Sequence, residues 1–151
     1  MTSRLENEAV QRFLTHARVE TPLICGPMYP CSNPELVAAV SLAGGLGIVQ
    51  PISLTYVHGH DFREGLRLIR RLSGGKPIGM NALIEASSET YKRRMEQWVD
   101  IALEEGVRFF VTSLGNPSGS STRPTRWAPP CITTPRSGVS RKRRWRPAWT
   151  A

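Results

Sequence analysis

Four short apolar segments alternate with helix-like segments between residues 22 and 113. The apolar segments span residues 22–26, 46–49, 77–83 and 107–113. Segments that are apolar at nearly every position are typical of parallel strands, because helices cover both faces of such a sheet. The alternation therefore predicts an α/β fold built from parallel strand–helix units. Periodicity alone leaves open whether the sheet curves into a barrel or forms a doubly wound open sheet.

Boundary signals predict a helix in each interval between these strands. The first helix begins with the capping sequence Ser-Asn-Pro-Glu at residues 32–35, in which Ser or Asn is the cap. The second covers residues 62–72. The third begins at Ser87 or Ser88 and runs to Gly106, with apolar residues at intervals of three and four.

The basic charge is confined to the last part of the chain. The net charge is +8, but residues 1–117 hold all 12 acidic groups and 12 of the 20 Lys and Arg residues, which leaves 12 − 12 = 0. Residues 118–151 hold the other 8 basic groups, five prolines and no periodic apolar pattern. We therefore divide the chain into an N-terminal extension or helix (1–20), a strand–helix domain (21–117) and an irregular, disordered basic tail (118–151).

Cysteines and histidines indicate no metal site. Cys25, Cys31 and Cys131 are odd in number and fit no ligand spacing, so we expect free thiols in a reducing compartment. His58 and His60 lie in a predicted loop. The chain has no apolar run long enough for a membrane span and no secretory signal layout at its start, so we expect a cytoplasmic protein.

The order of several motifs resembles one enzyme family. Residues 21–28 end in Gly-Pro-Met, residues 33–47 contain Asn-Pro-Glu-Leu and Ala-Gly-Gly-Leu-Gly, residues 76–81 read Lys-Pro-Ile-Gly-Met-Asn, and residues 104–117 end in Gly-Asn-Pro. In this order they resemble the nitronate monooxygenase (2-nitropropane dioxygenase) family over residues 20–117. The resemblance implies a TIM barrel, of which this chain holds about the first half, and FMN as cofactor.

The resemblance also implies which residues line the flavin. They are Gly26, Pro27, Met28 and Asn81, and we add Ser113 at the end of the fourth strand. A glycine lets a flat ring approach the backbone, and an asparagine both donates and accepts hydrogen bonds. The implied reaction is the oxidation of an alkyl nitronate by O₂. The catalytic residue stays unassigned, because the fourth strand ends without a histidine; an enoyl-thioester reductase is a second reading of the same motifs.

A shifted reading frame explains the tail better than a functional arm does. If each codon takes the last base of one tail codon and the first two of the next, residues 118–133 can read Trp-Val-Val-Asp-Ala-Ala-His-Ala-Val-Gly-Ala-Pro-Val-Tyr-His-Asp. This resembles the family's continuation, and the loss of one base after Pro117 would produce the junction. We therefore expect a frameshifted, truncated and inactive chain that lacks the barrel half which binds the FMN phosphate. The competing hypothesis is a nucleic-acid-binding arm at residues 141–145 (Arg-Lys-Arg-Arg-Trp).

Overall fold

The computed structural model describes residues 4–84, 88–113 and 131–133, with the backbone alone for residues 4–7 and 131–133. The helices are α1 (Arg4–Ala17), α2 (Pro34–Leu42), α3 (Phe62–Leu72) and α4 (Glu89–Glu104), and a π-helical segment spans Ser53–Val57. The strands are β1 (Ile24–Cys25), β2 (Leu46–Val49), β3 (Ile78–Leu83), β4 (Phe109–Ser113) and β5 (Cys131–Thr133). The predicted alternation of strands and helices is confirmed.

All five described strands lie in one parallel sheet, in the order β1-β2-β3-β4-β5. A doubly wound sheet reverses its strand order at a switch point, whereas a barrel places each strand beside the previous one. The observed order is that of a barrel, so the tertiary pairing decides between the two alternatives that periodicity left open. The sheet is about half of a (β/α)8 barrel.

Side chains from alternate positions of the strands enter two separate apolar clusters. Val49 on β2, Met80 on β3 and Phe110 on β4 pack under the helices, in the cluster that also contains Trp98 of α4. The residues that alternate with these along the strands, such as Ile48, point to the other face of the sheet. This is the inner face of the half-barrel. The inner cluster comprises Leu46, Ile48, Phe109 and Val111 with Ala17 and Val19, and Phe13 and Leu14 of α1 pack against it.

Two strand glycines permit this packing. A Cβ built on Gly47 would lie 2.3 Å from the carbonyl oxygen of Val37, so α2 rests directly on the backbone of β2. A Cβ on Gly79 would lie 2.5 Å from Cδ1 of Ile48, in space that the inner cluster fills. A glycine is therefore required at Gly47, where the obstacle is helix backbone, whereas a methyl group at Gly79 would displace the end of the Ile48 side chain.

Of the two cap candidates for α2, Asn33 is the cap, since its Oδ1 accepts the hydrogen bond of the Leu36 backbone N–H at 2.8 Å. Two local expectations need correction. The first strand is two residues long rather than five. The backbone before it is held in a turn instead, because the Glu20 and Thr21 N–H groups donate to the Gly44 carbonyl. Within the segment expected to be irregular, residues 131–133 form β5 beside β4, where two β-branched residues meet an open strand edge. Residues 114–130 and 134–151 lie outside the described residues.

Ion pairs join α3 to the end of α4. Arg63 Nη1 lies 2.9 Å and Arg67 Nη2 lies 3.1 Å from the same Glu105 oxygen. Arg63 also binds Glu104 at 2.6 Å. The Glu105 side chain is only 13 % exposed, so water screens these pairs less than the exposed Arg67–Glu64 pair on α3. The hydrogen bonds from Arg67 and Arg63 hold the pKa of the Glu105 carboxyl below its usual range, against the opposing effect of burial.

Replacing Gly47 by alanine should destabilise the fold, because neither the strand nor the helix backbone can move without breaking its hydrogen bonds. We expect Gly47→Ala to lose roughly 3 kcal/mol in the free energy of unfolding, as overpacked cores do. Gly26→Ala is the matched control, since a Cβ there meets no heavy atom of the described residues within 4 Å. Urea unfolding measures both; equal stability of the two variants would contradict the close contact of α2 with β2.

Glu105→Gln should remove a stabilising interaction that depends on pH. A carboxyl whose pKa is lowered by folding stabilises the protein above its unfolded pKa, about 4.3, and this stabilisation is lost as the pH falls through the folded pKa. At pH 7 we expect the melting temperature to fall by roughly 4 °C, equivalent to about 1 kcal/mol. Glu64→Gln, at an exposed pair on the same arginine, should change it less. A difference between parent and Glu105→Gln that does not shrink as the pH falls below about 4.3 would contradict the assignment.

Candidate functional site

A chain of polar side chains crosses the carboxyl end of the half-barrel. Asn81 Nδ2 donates to Gln50 Oε1 at 2.8 Å, and Ser113 Oγ donates to Asn81 Oδ1 at 3.2 Å. Gln50 follows β2 directly, Asn81 lies two residues before the end of β3, and Ser113 ends β4. We call these three residues the polar layer. They bring together the side chains of three neighbouring strands.

The polar layer belongs to the inner face of the sheet. Gln50, Asn81 and Ser113 have the same parity along their strands as Ile48 and Val111 of the inner cluster. Gln50 and Asn81 are 7 % and 3 % exposed. The inner face therefore changes from apolar to polar along the strands, and the change marks where the packed interior ends. Active sites of such barrels form at this carboxyl end.

The segment after β1 forms a short bonded loop at the same end. The Met28 backbone N–H donates to Ser32 Oγ, and the Ser32 N–H donates to the Met28 carbonyl, both at 2.8 Å. Ser32 is buried, whereas the Met28 side chain is 44 % exposed. Gly26 and Pro27 are half-buried, and no heavy atom of the described residues lies within 4 Å of a Cβ built on Gly26. The loop thus leaves room for a ligand against the backbone at Gly26.

The segment after β2 is tied to this loop. Ser53–Val57 forms a π-helical turn, a geometry found often at functional sites. The ring Nε2 of His58, which follows it, lies 3.0 Å from the Pro30 carbonyl oxygen. His58 lies in a loop, as predicted, and its ring has a backbone partner there. The bond joins the segments that follow β1 and β2.

The predicted site residues fall into two groups. Asn81 and Ser113 are in direct contact, and Gly26, Pro27 and Met28 lie on the loop after β1 at the same end of the sheet. Sequence reasoning missed Gln50. Its signal was a single polar residue between the apolar run 46–49 and Pro51, at the point where a parallel strand ends. None of the polar-layer side chains is an acid or base near neutral pH, so the layer offers hydrogen bonds and no proton acceptor of its own.

A cavity of about 290 Å³ lies at the opposite, amino end of β3 and β4. Its charged lining includes Arg18, Arg70, Lys76 and Arg108. The helices α1, α3 and α4 end beside it, and cations at helix C-termini offset the partial negative charge there. Arg108 also donates to the Leu103 carbonyl at 2.7 Å. Helix termination therefore accounts for Arg18, Arg70 and Arg108, and Lys76 pairs with Glu20, so the cavity is not the candidate site.

The described residues contain no group of three or more His, Cys, Asp or Glu side chains that could hold a metal ion. In the same residues no helix is long and apolar enough to cross a membrane. Cys25 and Cys31 are free thiols.

Comparison with known proteins finds one family. The family model described as nitronate monooxygenase matches residues 11–118. A Pseudomonas aeruginosa PAO1 protein named nitronate monooxygenase is 33 % identical over 91 residues, which are 59 % of this chain and 24 % of that protein. The chain thus spans about a quarter of that relative's length.

The same comparison extends to solved structures. FabK from Thermotoga maritima is similar with a TM-score of 0.55 and 28 % identity, over 72 % of this chain and 32 % of FabK. The enoyl reductase domain of MlnA, from the macrolactin biosynthesis cluster of Bacillus amyloliquefaciens, has a TM-score of 0.57 over 70 % of this chain and 23 % of its own. At 21 % identity the second likeness supports the fold alone.

Ser32→Ala should loosen the loop that carries Met28. The substitution leaves the Met28 N–H without its hydroxyl acceptor, at a cost of about 1 kcal/mol in the free energy of unfolding. Amide hydrogen exchange of Met28 should become faster, while exchange in β3 changes only by the global loss of stability. Thr15→Ala is the control, because that hydroxyl bonds its own helix at an exposed position. Unchanged exchange at Met28 would contradict the role given to Ser32.

Proposed function

We propose that this chain, which belongs to the nitronate monooxygenase family, carries the ring-binding part of an FMN site in an oxidoreductase that oxidises alkyl nitronates with O₂. The observation that carries the proposal is the polar layer at the carboxyl end of a barrel sheet, within the residues that match the family. The chain spans only part of its relatives, so the reaction is proposed for the complete barrel.

The residues at this end fit a flat heteroaromatic ring. Gly26 borders space that a side chain would fill, and Met28 offers a polarizable thioether beside it. Asn81 and Ser113 supply donors and acceptors for a mixed polar edge, and Gln50 extends the same row. Bound FMN would supply the electron transfer from nitronate to O₂. In this proposal, the residues of the chain bind and orient the ring and exclude water.

A second candidate function is the flavin-dependent reduction of an enoyl thioester. The likeness to FabK, at 28 % identity, favours it. Both candidate reactions would use a flavin ring bound at the same strand ends. None of the described residues distinguishes one reaction from the other. The two reactions differ in their substrates, a nitronate with O₂ or an enoyl thioester with a nicotinamide donor, so turnover assays separate them.

The proposal keeps the frameshift after Pro117. The shifted reading supports it, since it resembles the family's continuation and gives Val-Tyr-His over residues 131–133, the segment that forms β5. In this proposal the chain as printed is inactive, and its location is the cytoplasm, consistent with the free thiols of Cys25 and Cys31.

The decisive experiment compares the printed chain with the product of the same gene after one base is restored behind the Pro117 codon. The restored frame should stay open for about 200 codons, which would give a chain within the range of roughly 200 to 400 residues that such barrels span. Its product should purify yellow with FMN and consume O₂ with an alkyl nitronate. The printed chain should do neither.

Each other outcome removes one part of the proposal. An early stop codon in the restored frame would exclude the frameshift, and a yellow, soluble monomer from the printed chain would exclude its inactivity. A restored protein that reduces enoyl thioesters but ignores nitronates would favour the second candidate. Salt-sensitive DNA binding that is lost on removal of residues 118–151 would favour the nucleic-acid-binding arm instead.

A further inference from the structure

The loop between β1 and α2 is held by few contacts of its own. Residues 28–31 are exposed, and the two hydrogen bonds between Met28 and Ser32 close the loop only on itself. Among the described residues, the one hydrogen bond that reaches residues 28–31 from beyond the cap of α2 is the bond between the Pro30 carbonyl and the ring of His58. The middle of the loop is therefore tied to the rest of the protein through His58.

His58 is itself fixed by the π-helical segment that precedes it. Its backbone N–H donates to the Ser53 carbonyl at 3.0 Å, a bond across five residues in place of the four-residue spacing of an α-helix. Ser53 and Leu54 are 0 % and 1 % exposed, so the start of the segment lies in the core. On the outer side the ring of Tyr56 packs edge-to-face on Trp98 of α4, with 6.3 Å between the ring centroids. The segment thus gives His58 a firm base from which its ring reaches the loop.

The partner of the ring decides which of its nitrogens carries the proton. A backbone carbonyl has no hydrogen to donate, and the chain fixes its direction, so Nε2 of His58 must be the donor. A ring rotated by half a turn would face the Pro30 carbonyl with a C–H group and lose the bond. The neutral ring therefore carries its proton on Nε2 and its lone pair on Nδ1.

We infer that His58 is a positioning residue of the candidate site, which holds the loop after β1 in the conformation that leaves the space beside Gly26 open. The inference deepens the proposed function, on which its ligand side rests. A ligand that binds against a loop already held in place does not have to order it, so the tether raises the affinity without touching the ligand. The ligand is the flat ring of the proposed function, bound against the backbone of Gly26.

The test measures amide hydrogen exchange of Met28 and Ser32 by NMR in the printed chain without ligand. His58→Leu removes the donor, whereas His58→Gln keeps an N–H at a similar distance from the backbone. We expect exchange of both amides to rise on the order of fivefold in His58→Leu, the factor of one hydrogen bond, and to stay within about twofold of the parent in His58→Gln. His60→Leu is the matched control, because His60 is equally half-buried and its ring makes no hydrogen bond within the described part of the chain.

Exchange in β3 separates a loosened loop from a loss of global stability, and it should stay at the parent rate in every variant. His58→Asn remains informative if His58→Leu does not fold. Its amide is one bond shorter than that of glutamine and stops short of the Pro30 carbonyl, so it should loosen the loop as His58→Leu does. Equal exchange of Met28 in the parent and in His58→Leu would overturn the inference, and so would a rise in His58→Gln as large as that in His58→Leu.

An FMN titration of the restored-frame protein, followed by the flavin absorbance spectrum, tests the ligand side separately. Binding should be about fivefold weaker in His58→Leu and within about twofold of the parent in His58→Gln and His60→Leu. If the exchange rates follow the expected pattern while the restored protein binds no FMN, the tether by His58 stands and the proposed function fails. Equal FMN affinity in the parent and in His58→Leu would overturn the role of His58 towards the ring.

Discussion

The parallel register of β2, β3 and β4 is the constraint on which the rest of this structure depends. It aligns residues of one parity on the inner face and residues of the other parity under the helices. The alignment has no room for a methyl group at Gly47, where α2 touches the strand backbone, and a methyl group at Gly79 would displace the end of the Ile48 side chain. The same register brings Gln50, Asn81 and Ser113 within hydrogen-bond reach of one another. Packing and site are thus two results of one strand arrangement.

The half-barrel stabilises its two ends by different means. At the amino end α1 closes the inner face with apolar contacts, among them the edge-to-face pair of Phe13 and Phe109. At the carboxyl end hydrogen bonds replace apolar contacts, in the polar layer and in the Met28–Ser32 loop. A buried polar layer is stable only when its members are hydrogen-bonded. A ligand that contacts it must therefore offer donors and acceptors in matching positions. The polarity of the inner face therefore separates the apolar, packed end of the sheet from the end that carries the candidate site.

Much of the fold was predictable because it rests on short-range patterns. The apolar runs located β2, β3 and β4, and Ser88 was recognised as a possible cap of α4, which it is. The sequence left the cap of α2 open because two local signals competed, at Ser32 and at Asn33. Both residues can cap a helix, and Ser32 is occupied instead by the Met28 backbone, a contact that depends on how the loop folds back. Gln50 was missed for a related reason: a single glutamine gives no signal until its partner on another strand is known.

By itself the sequence determined the α/β class, the family, and two of the side chains, Asn81 and Ser113, that meet at the carboxyl end. These follow from periodicity and from motifs that are local in the chain. Only the tertiary structure decided for a barrel over a doubly wound sheet, and it alone joined Gln50 to Asn81 across 31 residues. It also placed residues 131–133 beside β4. The physical reason is that strand order and cross-strand hydrogen bonds depend on which segments pair in space, and parallel pairing joins residues that are distant in the chain.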